Sequence, residues 1–241
     1  MPIIKIIKYI CNIFLYFWES ALRLIILKSS NAKEKFTLIY KYKYWSDPFS
    51  NRSVSGYGSD DVATKNVIPN LESFFKENKI STILDIPCGD FKWMQNIDLN
   101  GINYIGADIV EDLIKKNQSQ YFSGSISFKH MDIINDTLPQ VDLVLVRDCF
   151  IHLSNDNVRT AIINIIDSDS KFIATTTFID EKITNNDITT GDFRFINLLN
   201  EPFNLPQPFK LLNDSFVNKE KIYSFKRIGI WEVSKLKNYW K

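Results

Sequence analysis

The sequence predicts an α/β fold: a mostly parallel sheet covered by helices, ending in an antiparallel hairpin and preceded by an N-terminal amphipathic helix. Three observations carry this expectation. Short apolar runs alternate with helical segments, as a parallel sheet with right-handed crossovers requires. Aspartates close four successive runs, at Asp85, Asp108, Asp132 and Asp148. The last part of the chain then breaks the rhythm, with two strands and no convincing helix between them.

The first element is the N-terminal helix, Pro2 to Leu27, within a first segment spanning residues 1–30. Lys5, Lys8, Asn12, Glu19, Ser20 and Arg23 form a narrow polar stripe on it, and Ile, Leu, Phe, Tyr and Trp fill the rest. From Met1 to Tyr44 there are eight cations against two anions, a net of +6, which leaves about −5 for the remainder. A cleaved signal peptide is disfavoured because no small-residue cleavage site follows. A transmembrane span is disfavoured by Glu19 and Arg23. An amphipathic helix on an anionic membrane and a helix packed on the protein's own domain both stay open. Residues 31–59 form a basic, aromatic segment (Lys41-Tyr42-Lys43-Tyr44-Trp45) followed by a loop, Ser46 to Asp60, rich in Ser and Gly, suited to a lid.

The third segment, residues 60–241, holds the sheet. Asp61 to Asn78 reads as one helix with an apolar face of Val62, Val67, Ile68, Leu71, Phe74 and Phe75. Strands follow at Ser81–Ile86, Asn103–Asp108, Ser127–His130, Asp142–Arg147 and Lys171–Thr177, the fourth being an almost unbroken apolar run as expected of a strand covered on both faces. Between them, Phe91 to Asp98, Val110 to Gln118 and the stretch after Ser154, an N-cap, read as helical. Phe209–Leu212 and Ile228–Val233 supply the terminal hairpin.

This order resembles the class I S-adenosylmethionine-dependent methyltransferases, over roughly residues 60–236. More narrowly, Asp85-Ile86-Pro87-Cys88-Gly89-Asp90-Phe91, Arg147-Asp148-Cys149-Phe150-Ile151-His152-Leu153-Ser154, Asn197-Leu198 and Pro202-Phe203-Asn204-Leu205-Pro206 resemble one bacterial subfamily, which supplies a cofactor but no acceptor. The resemblance implies a Rossmann-like, seven-stranded sheet and S-adenosylmethionine as cofactor. In such families an acid is followed by alternate glycines that let backbone approach the cofactor. Here Asp85 is the acid and Gly89 keeps the middle glycine, while Pro87 and Phe91 replace the outer two. Pro87, Cys88, Gly89 and Asp90 are thereby implied to contact the methionine portion.

Asp108, 23 residues beyond Asp85 with Ile109 beside it, is placed to accept hydrogen bonds from both ribose hydroxyls. Asp132 matches the acid that holds the adenine amino group, with Ile133 against the ring. Arg147, Asp148 and Cys149 are expected to border the sulfonium and the acceptor. Asp148 is the first choice as general base and His152 the second, because an imidazole titrates near neutrality. Asp192 and Arg194, after the fifth strand, are candidates for holding the acceptor; an ion pair between them is the plainer alternative.

Other chemistries fit less well. A nicotinamide-dependent dehydrogenase needs G-x-G-x-x-G for its pyrophosphate, and Pro87-Cys88-Gly89-Asp90-Phe91-Lys92 has one glycine. A nucleic-acid acceptor is disfavoured by the acidic character of residues 45–241. The three cysteines and two histidines form no ligand cluster, so no metal is expected, and an odd cysteine count fits a reducing cytoplasm. The expectation is O-methylation of a small molecule, or of a glycan or lipid-linked acceptor, in the cytoplasm or at the inner face of its membrane. Protein methylation, or a membrane-attached domain that binds the cofactor without turnover, stays open.

Overall fold

A computed structural model of the chain describes residues 17–46, 52–218 and 221–240. Lys5, Lys8, Cys11 and Asn12 therefore lie outside the described residues, as does part of the expected lid loop. The first described helix, α1, spans residues 17–28. A second, α2 (Ala32–Lys41), was not expected. Asn31 caps it by accepting a hydrogen bond from the Glu34 N–H, and Glu34 in turn accepts from the Ser30 N–H and hydroxyl.

The expected helix from Asp61 to Asn78 is two helices, α3 (Asp61–Thr64) and α4 (Val67–Asn78). Pro69 explains the break: it sits in the first turn of α4, where its missing N–H is harmless, but its ring would clash with the carbonyl of Lys65 in a continuous helix. Phe91 to Asp98 is not a helix either. It holds a single 3-10 turn, Met94–Asn96, after a left-handed Phe91 (φ 58°) whose ring is buried among Tyr104, Tyr121 and Phe128.

The strands are β1 (Thr82–Asp85), β2 (Asn103–Asp108), β3 (Ile126–His130), β4 (Leu143–Val146), β5 (Phe172–Phe178), β6 (Lys210–Asn213), β7 (Val217–Asn218), β8 (Lys221–Ile222) and β9 (Lys226–Glu232). Seven form one sheet in the order β3-β2-β1-β4-β5-β9-β6. The first five are parallel, and β9 runs antiparallel to both β5 and β6. The terminal hairpin is thus present, with β9 inside the sheet, β6 at its edge, and the short β7–β8 ribbon between them in sequence. Helices α5 (Glu111–Tyr121) and α6 (Asn155–Asp167) follow β2 and β4, and the Ser154 hydroxyl caps α6 as expected. Val233, expected in the last strand, instead opens a helix α7 (Val233–Trp240).

Alternate residues of the central strands feed two cores. Leu84, Val144 and Val146 pack with Val158, Ile162 and Ile165 of α6 and Leu236 of α7. Ile83, Leu143 and Leu145 pack with Leu71, Phe74 and Phe75 of α4. All four residues of β4 are fully buried. At about 25 cal/mol per Å² of apolar surface, this two-sided burial is what holds the parallel strands in register. It leaves their C-terminal ends as the place where polar side chains can emerge.

Candidate functional site

A cavity of about 390 Å³ opens along the C-terminal ends of β1, β2, β3 and β4. Its volume lies within the ~300–1,000 Å³ usual for small-molecule sites. Of the residues the sequence singled out, Asp85, Pro87, Cys88, Gly89, Asp108, Ile109, Asp132, Ile133, Arg147, Asp148, His152 and Asp192 line it; Asp90 and Arg194 do not.

At one end, Asp108 is buried and accepts hydrogen bonds from the Gly89 N–H (3.2 Å) and the Val110 N–H (2.9 Å). Burial outweighs these donors and lifts its carboxyl pKa to about 6. Asp85 is likewise raised to about 7 by burial, against the opposing hydrogen bond from the Tyr104 hydroxyl at 2.6 Å. Asp132 accepts from the Ile134 N–H and the Asn135 side chain, which orient it at the cavity wall beside the buried Ile133.

Gly89 adopts φ 58°, and a Cβ there would lie 2.4 Å from the Ser55 hydroxyl, so loop and backbone meet too closely for a side chain. That contact explains Asp90. Its carboxylate accepts from the Ser53 hydroxyl (2.9 Å) and the Val54 N–H (2.9 Å), and its N–H donates to Ser55. Asp90 fastens the loop over the cavity instead of facing it, a correction to its expected contact with a ligand. Tyr40 of α2 adds a hydrogen bond to Ser55 at 3.1 Å.

The other end is built from charges the sequence did not connect. Asp148 has φ 55°, and its carboxylate meets Lys226 Nζ at 2.7 Å, with Thr176 donating at 3.1 Å. Lys226 also pairs with Asp214 at 3.0 Å, and Arg147 forks onto Asp214 through Nε (3.1 Å) and Nη2 (2.9 Å). Two cations and two anions thus neutralise one another, with Asp214 completely buried. Lys226 and Arg147 hold the Asp148 carboxyl well below the usual carboxylate range despite its burial. A carboxylate so reluctant to take a proton is poorly suited to be a base near neutrality. Arg147 is also engaged throughout: its Nη1 donates to the Gly58 carbonyl at 2.8 Å and its guanidinium lies over the Trp93 ring. Its side chain braces the loop and the ion-pair network.

His152 is differently placed. Its Nδ1 lies 2.8 Å from the Asp192 carbonyl oxygen, which only accepts, so Nδ1 carries the proton and Nε2 keeps a lone pair. The ring stacks on Trp45 with centroids 4.4 Å apart, and burial lowers its pKa below the ordinary histidine value. A neutral imidazole with a fixed tautomer on a cavity wall can take up a proton. Asp192 contributes this carbonyl, while its carboxylate pairs with Arg23 of α1 at 2.6 Å, so the alternative of an ion pair with Arg194 is not formed. Arg194 is buried and turned away from the cavity, donating to the Leu153 carbonyl at 2.7 Å. Aromatic rings complete this end: Trp45, Tyr57, Phe178, Phe193, Phe216 and Tyr223. None had been singled out as a site residue, because aromatic residues scattered from 45 to 223 carry no shared spacing. Lys226 left little signal, being one of two adjacent cations, with Arg227, ahead of the apolar run of β9.

No protein-family model matches the chain, and no curated protein matches it as a relative. Solved structures do. The fold is similar to that of magnesium protoporphyrin IX methyltransferase from Synechocystis PCC 6803 with bound S-adenosylmethionine. The TM-score is 0.57 at 11% identity, covering 84% of this chain and 97% of that one. It is also similar to human N-acetylserotonin methyltransferase in complex with S-adenosylmethionine, with TM-score 0.52, 13% identity, and coverage of 84% of this chain and 60% of that one. The chain therefore has the α/β fold of S-adenosylmethionine-dependent methyltransferases.

Proposed function

We propose that the protein is an S-adenosylmethionine-dependent methyltransferase acting on a hydroxyl group of a small acceptor, with His152 as the general base. The observation that carries this reading is the pairing, in one cavity, of a buried nucleoside-type acid with a neutral imidazole: Asp108 on β2 and His152 with its Nδ1 proton fixed by Asp192. The cavity's residues fit the cofactor: Gly89 lets backbone approach, Asp108 offers acceptors for ribose hydroxyls, and Asp132 with Ile109 and Ile133 offers an acceptor flanked by apolar side chains for a purine. The bound cofactor would supply a sulfonium methyl group.

The protein's own task is then alignment and one proton. With the cofactor bound, the His152 Nε2 lone pair would take up the acceptor's hydroxyl proton as the methyl group is transferred. The Asp148–Lys226 pair keeps the neighbouring wall polar but net neutral. The aromatic walls favour an acceptor with a flat or ring-shaped face, a phenol or a sugar ring included. A polypeptide acceptor would have to insert a side chain past the loop fastened by Asp90.

Incubation with methyl-labelled S-adenosylmethionine and a panel of phenolic, sugar and glycolipid acceptors, read by mass, tests the proposal. Label transfer abolished by His152→Ala, with cofactor affinity unchanged, is the expected result. Cofactor binding without transfer to any acceptor class would support a binding domain without turnover, and absence of cofactor binding would overturn the reading.

A further inference from the structure

Helix α1 is apolar on an outward arc as well as on its buried side. A surface helix normally buries its apolar stripe and shows its polar face. Here the inward side carries Leu22 and Ile26, packed with Ile39, together with Arg23 on Asp192. The outward arc carries Phe17, Trp18, Leu24 and Ile25, which are 66%, 52%, 59% and 57% exposed. Tyr42, at the end of α2, extends this surface through an edge contact with Trp18 at 6.4 Å, and Lys41 lies over the Tyr42 ring. Lys28 stands on the same arc of α1, and Lys41 and Lys43 are exposed beside it.

From this arrangement we propose that the outward face of α1 and the adjoining end of α2 form a docking surface for an anionic membrane. Charge complementarity selects the occupant. Lys28, Lys41 and Lys43 stand among or beside the exposed apolar side chains, within a first 44 residues whose sequence carries a net charge of +6 in a chain whose total is +1. Aromatic residues with lysines at their margin suit the headgroup boundary, where rings insert and ammonium groups meet lipid phosphates. The sixteen residues before α1 continue the composition, with Lys5 and Lys8 as their only charged residues among Ile, Leu, Phe and Tyr. No helix among the described residues is long and apolar enough to cross a membrane.

Helix α1 is also tied to the cavity wall. Arg23 holds Asp192, whose carbonyl fixes His152, and the Gly191 N–H donates to the His152 carbonyl at 2.8 Å. The docking stands independently of the proposed methyl transfer; only its use, presenting the site to membrane-borne acceptors, rests on that reading.

The test is co-sedimentation of the full chain with vesicles of equimolar phosphatidylglycerol and phosphatidylcholine, against phosphatidylcholine alone. Binding to the anionic vesicles at low salt, weakened by salt, is expected. The variant Leu24→Ser/Ile25→Ser should lose at least tenfold in partitioning while its thermal unfolding stays unchanged, since both side chains already face outward. Lys41→Glu/Lys43→Glu should lose roughly fivefold or more per charge. Equal binding by the serine variant, binding indifferent to lipid charge, or a lipid-free dimer that the serine variant dissociates would overturn the proposal. The lipid readouts do not depend on activity, so failure here leaves the methyltransferase reading untouched.

Discussion

The two ends of the cavity solve the same problem, burying carboxylates, in opposite ways. Asp85 and Asp108 are buried with hydrogen-bond donors but no ion-paired cation, and their pKa values rise to about 7 and 6. Asp148 sits against Lys226 and Arg147, and its pKa falls. Desolvation acts on all three; what differs is a cation within contact distance. One end is therefore responsive to protons and to ligands that donate hydrogen bonds, while the other is electrically satisfied and rigid. The contrast also explains why the proton-accepting role passes to His152, whose partner is a neutral carbonyl.

The largest effect should come from removing the anion shared at the rigid end. Asp214→Asn leaves Arg147 and Lys226 buried with one carboxylate between them, and chemical denaturation should show a loss of about 3–5 kcal/mol. A loss below 1 kcal/mol would mean the network is not the anchor described here. Next, His152→Ala should lower turnover by about 10²–10⁴-fold with little change in cofactor affinity. Asp148→Asn, an isosteric change at a residue already ion-paired, should cost under about tenfold in turnover. The reverse ranking would restore Asp148 as the base. In wild type, kcat/KM should rise with pH through a value below the usual ~6.5 of histidine, because the protonated ring cannot accept.

At the responsive end, Asp108→Ala should weaken S-adenosylmethionine binding roughly 10- to 100-fold by calorimetry. A ligand donating to the Asp108 carboxylate prefers its ionised form. Affinity should therefore increase as pH rises toward about 6 and level off above about 7. Stability runs the other way: with folded pKa values raised above those of the unfolded chain, Asp85 and Asp108 favour folding at pH below them, and that contribution is lost as pH rises through about 6 to 7. Opposed slopes in binding and unfolding would sharpen the comparison, and parallel slopes would break it. The smallest effect is expected at Arg194, which faces away from the cavity: Arg194→Met should leave the acceptor KM within about twofold.

The responsive end was legible in the sequence because it depends on local order. The position of an acid at the end of a parallel strand is fixed by the strand itself, so the sequence alone places Asp85, Asp108 and Asp132 on one edge. The rigid end was not, because its states are set by distant partners. Lys226 lies 78 residues from Asp148, Asp214 lies 67 from Arg147, and the carbonyl that sets the His152 tautomer comes 40 residues later. The position of Asp148 was foreseen; its charge environment was not. Local misreadings have local causes: Pro69 gave no warning of a break because proline is also welcome in a first turn, and Asn31 with Glu34 was a capping pattern inside a stretch read for its charge. The continuation of β9 into α7 lacks any turn residue to mark it.

The interior position of β9 also governs the order in which this molecule can be assembled. A chain emerging from the ribosome finishes β5 and then residues 179–225 before the strand that pairs with it exists. Until then β5 presents an open edge whose residues are all buried in the finished fold, and β6 has no neighbour at all. Such an edge is the kind of surface through which nascent chains associate wrongly. Lys226 arrives with β9, so the ion-pair network closes only at that same late step. Folding yield should accordingly respond more to conditions that slow release of the C-terminal segment than to those affecting the first five strands, and pulse-labelled hydrogen exchange should find β5 protected only after β9 has docked.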